Sequence, residues 1–404
     1  MTADTPLRTA DFDYELPPEL IAQEPLPDRA ASRLLLVARG RQTDRRAGGQ
    51  ADSGSGGRPV SGAVGGARLA SGPAAGRRQS GGIPQPADML PGHRSTAAGS
   101  VLVDTHFAQL PSLIQAGDLL VLNTTRVRHA RLLGTRPSGA PAEVLLIHPH
   151  PDGTWVALGK PGSALQPGKR VLLDSSTAIE TVEVMDDGNR RVRLVGASAE
   201  EAMARFGRLP LPPYIARDPT EADEVRYQTV YARREGSVAA PTAGLHFTSD
   251  LLDSLSAKGV LISGLELQVG PGTFRPVETD DPAEHVMHPE RYEIAPRLAA
   301  MVEVAREGGG RVWAVGTTVV RALESAANPD GTVRAGAGET ALMITPGYSF
   351  RVVDRLITNF HLPRSTLLML VSAFAGHKVA MAAYRHAVAQ RYRFYSYGDA
   401  MLIL

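Results

Sequence analysis

The second half of the chain alternates between strand-like and helix-like runs, and this alternation constrains the fold more than any other feature of the sequence. Apolar, β-branched runs such as VLISGLEL and RVWAVG stand between runs with helical periodicity. The predicted order is helix 249–258, strand 260–267, helix 297–307, strand 311–316, helix 317–327, strands 341–345 and 355–360, and helices 365–374 and 378–391. Such alternation is typical of an α/β domain, in which helices cover the faces of a sheet.

Residues 131–210 carry a different pattern. Short β-type runs, among them AEVLLIHP and TAIETVEVM, are separated by turn residues such as Pro-Gly and Asp-Asp-Gly-Asn. Short strands at this spacing favour a small barrel. We therefore expect a two-domain α/β (α+β) protein: residues 1–40, 99–130 and 211–404 form a larger layered α/β domain, into which a β-barrel domain at 131–210 is inserted.

Residues 41–98 form a third kind of segment, rich in Gly, Ala, Ser and Arg. Eight arginines and three aspartates give residues 41–100 a charge of +5, so that the rest of the chain is mildly acidic. Few of these residues are aromatic or β-branched, and the segment has too little apolar surface to offset the entropy lost on ordering. It is predicted to be a disordered insert. Two interpretations stay open: a basic arm that adds nonspecific affinity for RNA, or a solvated linker without a function.

Composition excludes several classes of protein. With no cysteine, the chain has no disulfide, thiolate metal site or cysteine nucleophile. The start MTADTPLRTADFDYELPPEL lacks the basic and apolar segments of a signal peptide, and no apolar run is long enough to cross a bilayer, so a cytoplasmic location is expected. The glycines of EGGGRVWAVG precede a strand instead of following it, which is not the dinucleotide-binding fingerprint, and no P-loop occurs.

Polar runs follow the apolar strands or lie in turns, where α/β folds build their sites. If these loops converge, they form one pocket rich in Thr, His, Asn, Arg and Phe. The runs are VLNTTRV (121–127), GSVAAPTAGLHFT (236–248), VGPGTFRPV (269–277), EHVMHPE (284–290), VGTTVVRALES (315–325) and ITNFHLPRSTLLML (357–370).

These runs closely resemble those of the S-adenosylmethionine:tRNA ribosyltransferase-isomerase family. So do FDYELPPELIAQEPLPDRAASRLLLV, GRLPLPPYI, YQTVYA, GETALMITPGYSF and YRFYSYGDAML, and the resemblance covers nearly the whole chain outside about 41–98. It implies the same arrangement of a β-barrel inserted into an α/β domain. It also implies queuosine biosynthesis: the ribosyl moiety of S-adenosylmethionine is transferred to preQ1 at the tRNA wobble position and isomerised to epoxyqueuosine, releasing adenine and methionine.

The partners implied by the resemblance are S-adenosylmethionine as co-substrate and the anticodon arm of a preQ1-containing tRNA. No recycled cofactor, metal or membrane is implied, and we expect a monomer. Two other functions stay open: a tRNA-binding homologue that no longer catalyses the reaction, and another S-adenosylmethionine-dependent RNA-modifying enzyme such as a methyltransferase. The absence of a Rossmann glycine loop argues against the methyltransferase.

The chemistry calls for a group that exchanges protons near neutral pH. A sulfonium acidifies the neighbouring C5′ hydrogens of the ribose, and a histidine suits their removal better than a lysine or an unperturbed carboxylate. The candidate catalytic residues, each in a family-like run, are His246, His285, His288 and His361. A cationic substrate also favours aromatic faces, which Phe247, Phe274 and Phe360 would supply unless they pack in the core.

The stretch EHVMHPE raises the separate question of a metal. Its histidines, His285 and His288, are three residues apart, and Pro289 prevents the helix on which a histidine pair usually binds zinc. We expect no metal here. The pair is interpreted as an acid/base or hydrogen-bonding pair, although one imidazole alone would serve equally to hold the loop.

Further residues in the same runs are candidates for binding substrate. Arg126 and Arg321 suit a methionine carboxylate or an RNA phosphate, and Thr317 lies at a helix start, where free N–H groups favour an anion and where capping is the simpler explanation. Asn359 suits a base edge or a buried turn. The complete set is Asn123, Arg126, Thr242, Phe247, Thr273, Phe274, Thr317, Arg321 and Asn359. Two residues depart from the family pattern: Thr124 replaces an asparagine, and Val319 replaces a serine.

Overall fold

The computed structural model describes residues 6–38, 92–270 and 276–404. Most of the expected insert, residues 41–91, lies outside the described residues, and so do the candidates Thr273 and Phe274.

Strands make up most of the regular structure in the described ranges. They are β1 (Arg33–Ala38), β2 (His93–Ala97), β3 (Ser100–His106), β4 (Leu119–Asn123), β5 (Thr125–Val127), β6 (Arg131–Thr135), β7 (Pro141–Pro149), β8 (Trp155–Lys160), β9 (Arg170–Leu172), β10 (Ala178–Val184), β11 (Arg190–Val195), β12 (Gly207–Arg208), β13 (Arg234–Ser237), β14 (Leu261–Leu267), β15 (Glu290–Ile294), β16 (Val312–Val315), β17 (Gly336–Thr340), β18 (Arg355–Asn359) and β19 (Ala400–Ile403).

The α-helices lie mainly in the second half of the chain. They are α1 (Leu110–Leu113), α2 (Ala199–Phe206), α3 (Glu221–Arg226), α4 (Ser249–Ala257), α5 (Pro296–Glu307), α6 (Thr317–Ser325), α7 (Thr366–Ala375) and α8 (His377–Ala389). Their starts follow the usual capping chemistry: Thr248 accepts a hydrogen bond from the Leu251 N–H before α4, and Ser365 accepts one from the Leu368 N–H before α7.

Ten strands form one mixed sheet in the order β17-β15-β14-β4-β16-β18-β19-β1-β3-β2. Strands β14, β4, β16 and β18 run parallel to their neighbours in this group, and β1 is parallel to β19. The other pairs are antiparallel. All five residues of β4 are buried, which explains its apolar run, because helices cover both faces of a parallel sheet.

Alternate side chains of each central strand enter different cores. On β4, Leu119 and Val121 pack in the cluster that includes α5, α6, α7 and α8, whereas Leu120 and Leu122 pack in the cluster that includes α1 and α4. The large domain is therefore a three-layer α/β/α structure.

A second sheet, in the order β12-β6-β7-β8-β11-β10-β9, closes on itself where Thr135 of β6 pairs with Leu172 of β9. Its interior is filled by apolar side chains such as Leu132, Val144 and Val192, all completely buried. Together the two sheets confirm the predicted fold class, an α/β layered domain with a small β-barrel. The division of the chain into domains at the residues given above stays a prediction.

Several elements differ from the sequence-based expectation, among them the following three. Residues 93–97, at the end of the expected insert, form β2, which pairs with β3 and is half exposed, so backbone pairing and not apolar burial holds it. The predicted strand 341–345 is absent; the strand here is β17, which ends at Thr340, whose Oγ1 accepts a hydrogen bond from the Leu342 N–H. Helix α2 was not predicted and begins with a capping box between Ser198 and Glu201.

Among the described residues, no single helix is long and apolar enough to span a membrane. Helices α7 and α8 together are as long and as apolar as a membrane-spanning helix, but they are separated by a bend of 115°.

Candidate active site

A cleft opens at the carboxyl ends of β16 and β18, where ligands usually bind in parallel sheets. It encloses about 650 Å³ of empty space, counting the part open to solvent. Six separate chain segments converge on it. Its lining residues are Tyr214, Ala240, Pro241, Thr242, Ala243, Val269, Gly316, Thr317, Thr318, Thr358, Asn359, Phe360, His361, Leu362, Ser365, Leu367, Tyr395 and Ser396.

The first turn of α6 forms one wall of the cleft. Gly316, between β16 and α6, has a φ of 96°, a conformation that a residue with a side chain rarely adopts. Its N–H donates to the Ile357 carbonyl, which fixes the turn against β18. Thr317 and Thr318 follow at the start of the helix, where backbone N–H groups have no partner within the helix. This wall is therefore suited to a carboxylate or phosphate.

His361 is the candidate catalytic histidine that lines the cleft. Its Nε2 is 2.7 Å from the Thr358 hydroxyl, and its backbone is held by the hydroxyls of Tyr384, which accepts from the His361 N–H, and Tyr14, which donates to the carbonyl. Burial lowers the pKa of His361 to about 3, so the ring is neutral at pH 7. When Nε2–H donates to the Thr358 hydroxyl, Nδ1 carries the lone pair that can accept a proton.

His246 lies behind the cleft instead of lining it. Its ring stacks on Phe107 with centroids 5.0 Å apart, and its Nδ1 is 2.7 Å from the Ser32 hydroxyl. Burial lowers the pKa of His246 to about 4; the nearby Asn359 amide opposes this shift, but the two groups do not meet in good hydrogen-bond geometry. The Asn359 Oδ1 atom, at the floor of the cleft, is thus unpaired among the described residues, while its Nδ2 donates to the Tyr395 carbonyl.

His285 and His288 do not line this cleft. They lie in an irregular segment between the short 3-10 helix Pro282–Glu284 and β15, and both are partly exposed. The Nδ1 of His288 is 3.9 Å from a carboxylate oxygen of Asp187, in a turn of the barrel sheet. Burial and the neighbouring His288 lower the pKa of His285. In the described ranges no group of three His, Asp or Glu side chains is arranged to hold a metal.

The side chains of three other candidate residues are bonded or packed within the protein interior. The Asn123 amide bonds the backbone of Leu267 in both directions, at 3.0 and 3.1 Å, and joins β4 to β14. The Phe247 ring is completely buried against Phe107. Arg321 forms a buried ion pair of 2.5 Å with Glu290, the last residue of the EHVMHPE run. These contacts leave the three side chains directed into the core and away from the cleft.

The remaining candidates divide between the cleft and the surface. Thr242, Thr317 and Asn359 line the cleft, whereas Arg126 is exposed on β5. Sequence reasoning missed Tyr214, Ser365, Tyr395 and Ser396, which also line it. Tyr214 lies in the run GRLPLPPYI, Tyr395 and Ser396 lie in YRFYSYGDAML, and Ser365 lies in ITNFHLPRSTLLML. These runs were the available signal, but the first two follow no strand of the predicted sheet.

The departures from the family pattern lie outside the cleft lining. The Val319 side chain is completely buried in the apolar core under α6, where a serine hydroxyl would have no exposed face. Thr124 is hydrogen-bonded through Oγ1 to the Leu265 carbonyl at 3.1 Å. Both substitutions therefore affect packing more than contact with a ligand.

Comparison with known proteins gives one consistent result. A family model described as "Queuosine biosynthesis protein" matches residues 9–48 and 86–403. The S-adenosylmethionine:tRNA ribosyltransferase-isomerase of Symbiobacterium thermophilum is 47% identical over 402 residues, which cover 98% of this chain and all of the relative. The enzyme of the same name from Cupriavidus pinatubonensis is 47% identical over 397 residues, covering 98% and 99%.

A solved structure also aligns with the chain. It is the crystal structure of an S-adenosylmethionine tRNA ribosyltransferase from Thermotoga maritima, with 32% identity, a TM-score of 0.48 and coverage of 98% of this chain and 100% of that one.

The buried pair between Arg321 and Glu290 generates a prediction about stability. Replacing Arg321 by Met leaves a buried carboxylate without its counter-ion, so the free energy of unfolding is expected to fall by about 3–5 kcal/mol. The double variant Arg321→Met, Glu290→Gln should recover part of this loss. Urea denaturation measures both, with Arg297→Met on the exposed side of α5 as control. Unchanged stability of Arg321→Met would contradict the structural role.

The buried His246 generates a prediction about pH. An unfolded chain takes up a proton near pH 6.5, whereas the folded chain does so only near pH 4. The free energy of unfolding is therefore expected to decrease as the pH falls from about 6.5 to about 4, with this residue contributing up to about 1.4 kcal/mol per pH unit.

Denaturation of His246→Gln between pH 7.5 and 5 checks this, with the exposed His106→Gln as control. The His246 variant should show a shallower pH dependence than the parent and the control. An identical slope in all three proteins would show that His246 does not remain neutral in the folded state.

Proposed function

Because the chain belongs to the queuosine biosynthesis protein family, it is an S-adenosylmethionine:tRNA ribosyltransferase-isomerase, and we propose that its reaction takes place in the cleft at the ends of β16 and β18. The enzyme transfers the ribosyl moiety of S-adenosylmethionine to tRNA and isomerises it. The acceptor we propose is the aminomethyl group of preQ1 at the wobble position, in the anticodon arm. The monomeric state and the cytoplasmic location expected from the sequence stay predictions.

One observation carries the assignment of the cleft: six family-like runs, far apart in sequence, meet there, four of them with the following residues. GSVAAPTAGLHFT contributes Thr242, VGTTVVRALES contributes Thr317, ITNFHLPRSTLLML contributes His361, and YRFYSYGDAML contributes Tyr395. Residues brought together in this way from separate loops are typical of an active site built on an α/β scaffold.

The lining also suits the two ends of S-adenosylmethionine. The start of α6 offers backbone N–H groups and the Thr317 and Thr318 hydroxyls to the methionine carboxylate. Asn359 also lines the cleft, and its side-chain amide has both an acceptor and a donor with which to bind a base edge. This arrangement binds the substrate without an ion pair, because no Asp, Glu, Lys or Arg among the described residues lines the cleft.

His361 is the residue we propose as the proton acceptor. It lines the cleft, it is neutral, and its Thr358 contact leaves Nδ1 available. A neutral imidazole also avoids charge repulsion with the sulfonium of the substrate, which a protonated histidine would impose. The candidates His246, His285 and His288 lack one of these features, because none of them lines the cleft.

The reaction itself is tested by its products. Incubation of the protein with S-adenosylmethionine and preQ1-bearing tRNA, without added metal or nucleoside triphosphate, should yield adenine, methionine and epoxyqueuosine-tRNA. Mass analysis of the nucleosides and the small products reads this directly. Formation of S-adenosylhomocysteine would indicate a methyltransferase, and tRNA binding without turnover would indicate a homologue that has lost catalysis.

The proton acceptor is tested by comparing four variants. His361→Asn keeps a hydrogen-bonding side chain but removes the base, so turnover is expected to fall by about a hundredfold or more while the Kd for S-adenosylmethionine changes little. His285→Asn and His288→Asn should stay within a few-fold of the parent, and His246→Asn should lose stability before turnover.

Turnover, Kd and Tm of each variant separate these roles. A His361→Asn enzyme that stays within a few-fold of the parent would exclude His361 as the base. A hundredfold loss at His285 or His288 with an unchanged Tm would move the base to the EHVMHPE segment.

A further inference from the structure

Among the described residues, three aromatic side chains line the cleft: Phe360, Tyr214 and Tyr395. Phe360 has no exposed surface, whereas Tyr395 is 5% exposed and Tyr214 is partly exposed; Phe247 is completely buried and does not line the cleft. The ring centroids of Tyr214 and Tyr395 are 4.6 Å apart and their planes are inclined at 49°. These two tyrosines form an aromatic wall from segments about 180 residues apart in the sequence.

The backbone holds Tyr395 in an unfavourable conformation. Its φ of 69° lies in the left-handed region, which residues other than glycine rarely adopt and which costs of order 1–3 kcal/mol. Three hydrogen bonds maintain it: the Tyr395 N–H donates to the Phe360 carbonyl, and the Tyr395 carbonyl accepts from Asn359 Nδ2 and from the Gly398 N–H. Two of these partners are cleft residues, so the strain serves to place this ring beside the 359–361 run.

The Tyr395 ring supplies a contact that the proposed substrate needs. S-adenosylmethionine carries a sulfonium, and moving a cation out of water is costly unless a negative charge or an aromatic face replaces the solvent. No carboxylate among the described residues lines the cleft. The Tyr395 hydroxyl has no partner in the described ranges, and its only ring contact there is with Tyr214.

We propose that the face of Tyr395, supported by Tyr214, binds the sulfonium of S-adenosylmethionine through a cation–π interaction and thereby determines the preference for the charged co-substrate. This proposal rests on the proposed function. Because Tyr395 is bonded to Phe360, the residue before His361, the contact also places the carbons attached to sulfur near the proposed proton acceptor.

The test compares the affinity for a ligand with a positively charged sulfur with the affinity for a ligand whose sulfur is neutral. Calorimetric Kd values are determined for S-adenosylmethionine and for S-adenosylhomocysteine, whose sulfur is neutral, with the parent, Tyr395→Leu and Tyr395→Phe. Tyr395→Leu should weaken binding of S-adenosylmethionine by about 5- to 30-fold and that of S-adenosylhomocysteine by less than about twofold. Tyr395→Phe, which keeps the ring, should retain the preference of the parent.

Matched controls make each outcome decisive. Tyr292→Leu removes a half-buried tyrosine of β15 that does not line the cleft, and it should change neither Kd. A Tyr395→Leu variant that keeps the parent's preference overturns the proposal, as does equal loss in both ligands. A Tyr395→Phe variant that loses as much as Tyr395→Leu also overturns it, because the hydroxyl would then carry the interaction.

Failure of this proposal is distinguishable from failure of the proposed function. The latter is read from the parent alone, as the absence of adenine release with preQ1-bearing tRNA. The preference for charge is read from the ratio of two Kd values and needs no turnover.

Discussion

The ion pair between Arg321 and Glu290 is the buried interaction on which the site's geometry depends. It ties α6 to β15, and one turn further along the helix the Glu324 carboxylate accepts hydrogen bonds from the N–H groups of Arg351, Val352 and Val353, just before β18. Since charges so deeply buried are tolerated only with matched partners, both contacts fix the rotation of α6 about its axis. That rotation directs Thr317 and Thr318 toward the cleft.

The same contacts explain why neither charged side chain of α6 reaches the described lining of the cleft, since Arg321 and Glu324 are bonded in the interior. The end of β18 contributes Asn359, which donates to the Tyr395 carbonyl, and Thr358, which is bonded to His361. The described lining consists of backbone, hydroxyl, imidazole, aromatic and aliphatic groups. In the proposed binding mode, the carboxylate of S-adenosylmethionine lies at the start of α6 and its sulfonium lies against Tyr395.

The sequence predicted the architecture better than the roles of individual side chains. Periodicity located the strands and helices of the α/β layers because each is continuous in sequence, and it missed β2, whose pairing with β3 depends on backbone hydrogen bonds. Among the predicted site residues, Thr317 and His361 follow strands of the predicted sheet, and both line the cleft. Arg321 and Phe247 lie in the core, because a helix or loop of the same pattern can direct a side chain either into a cleft or into the core. Tyr395 was missed because its placement depends on long-range contacts with Asn359 and Phe360.

The position of β19 in the sheet has a consequence for biosynthesis. Residues 400–403 do not lie at an edge; they pair with β18 on one side and with β1 on the other. A nascent chain synthesised as far as β18 therefore holds two partial sheets, each with an open edge of unpaired backbone groups where β19 will later lie. Open edges of this kind favour pairing with other chains. These edges are buried only after β19 has been synthesised and has paired with both β1 and β18. Until then, the partly folded chain is prone to aggregation, and chaperones would bind it at this stage.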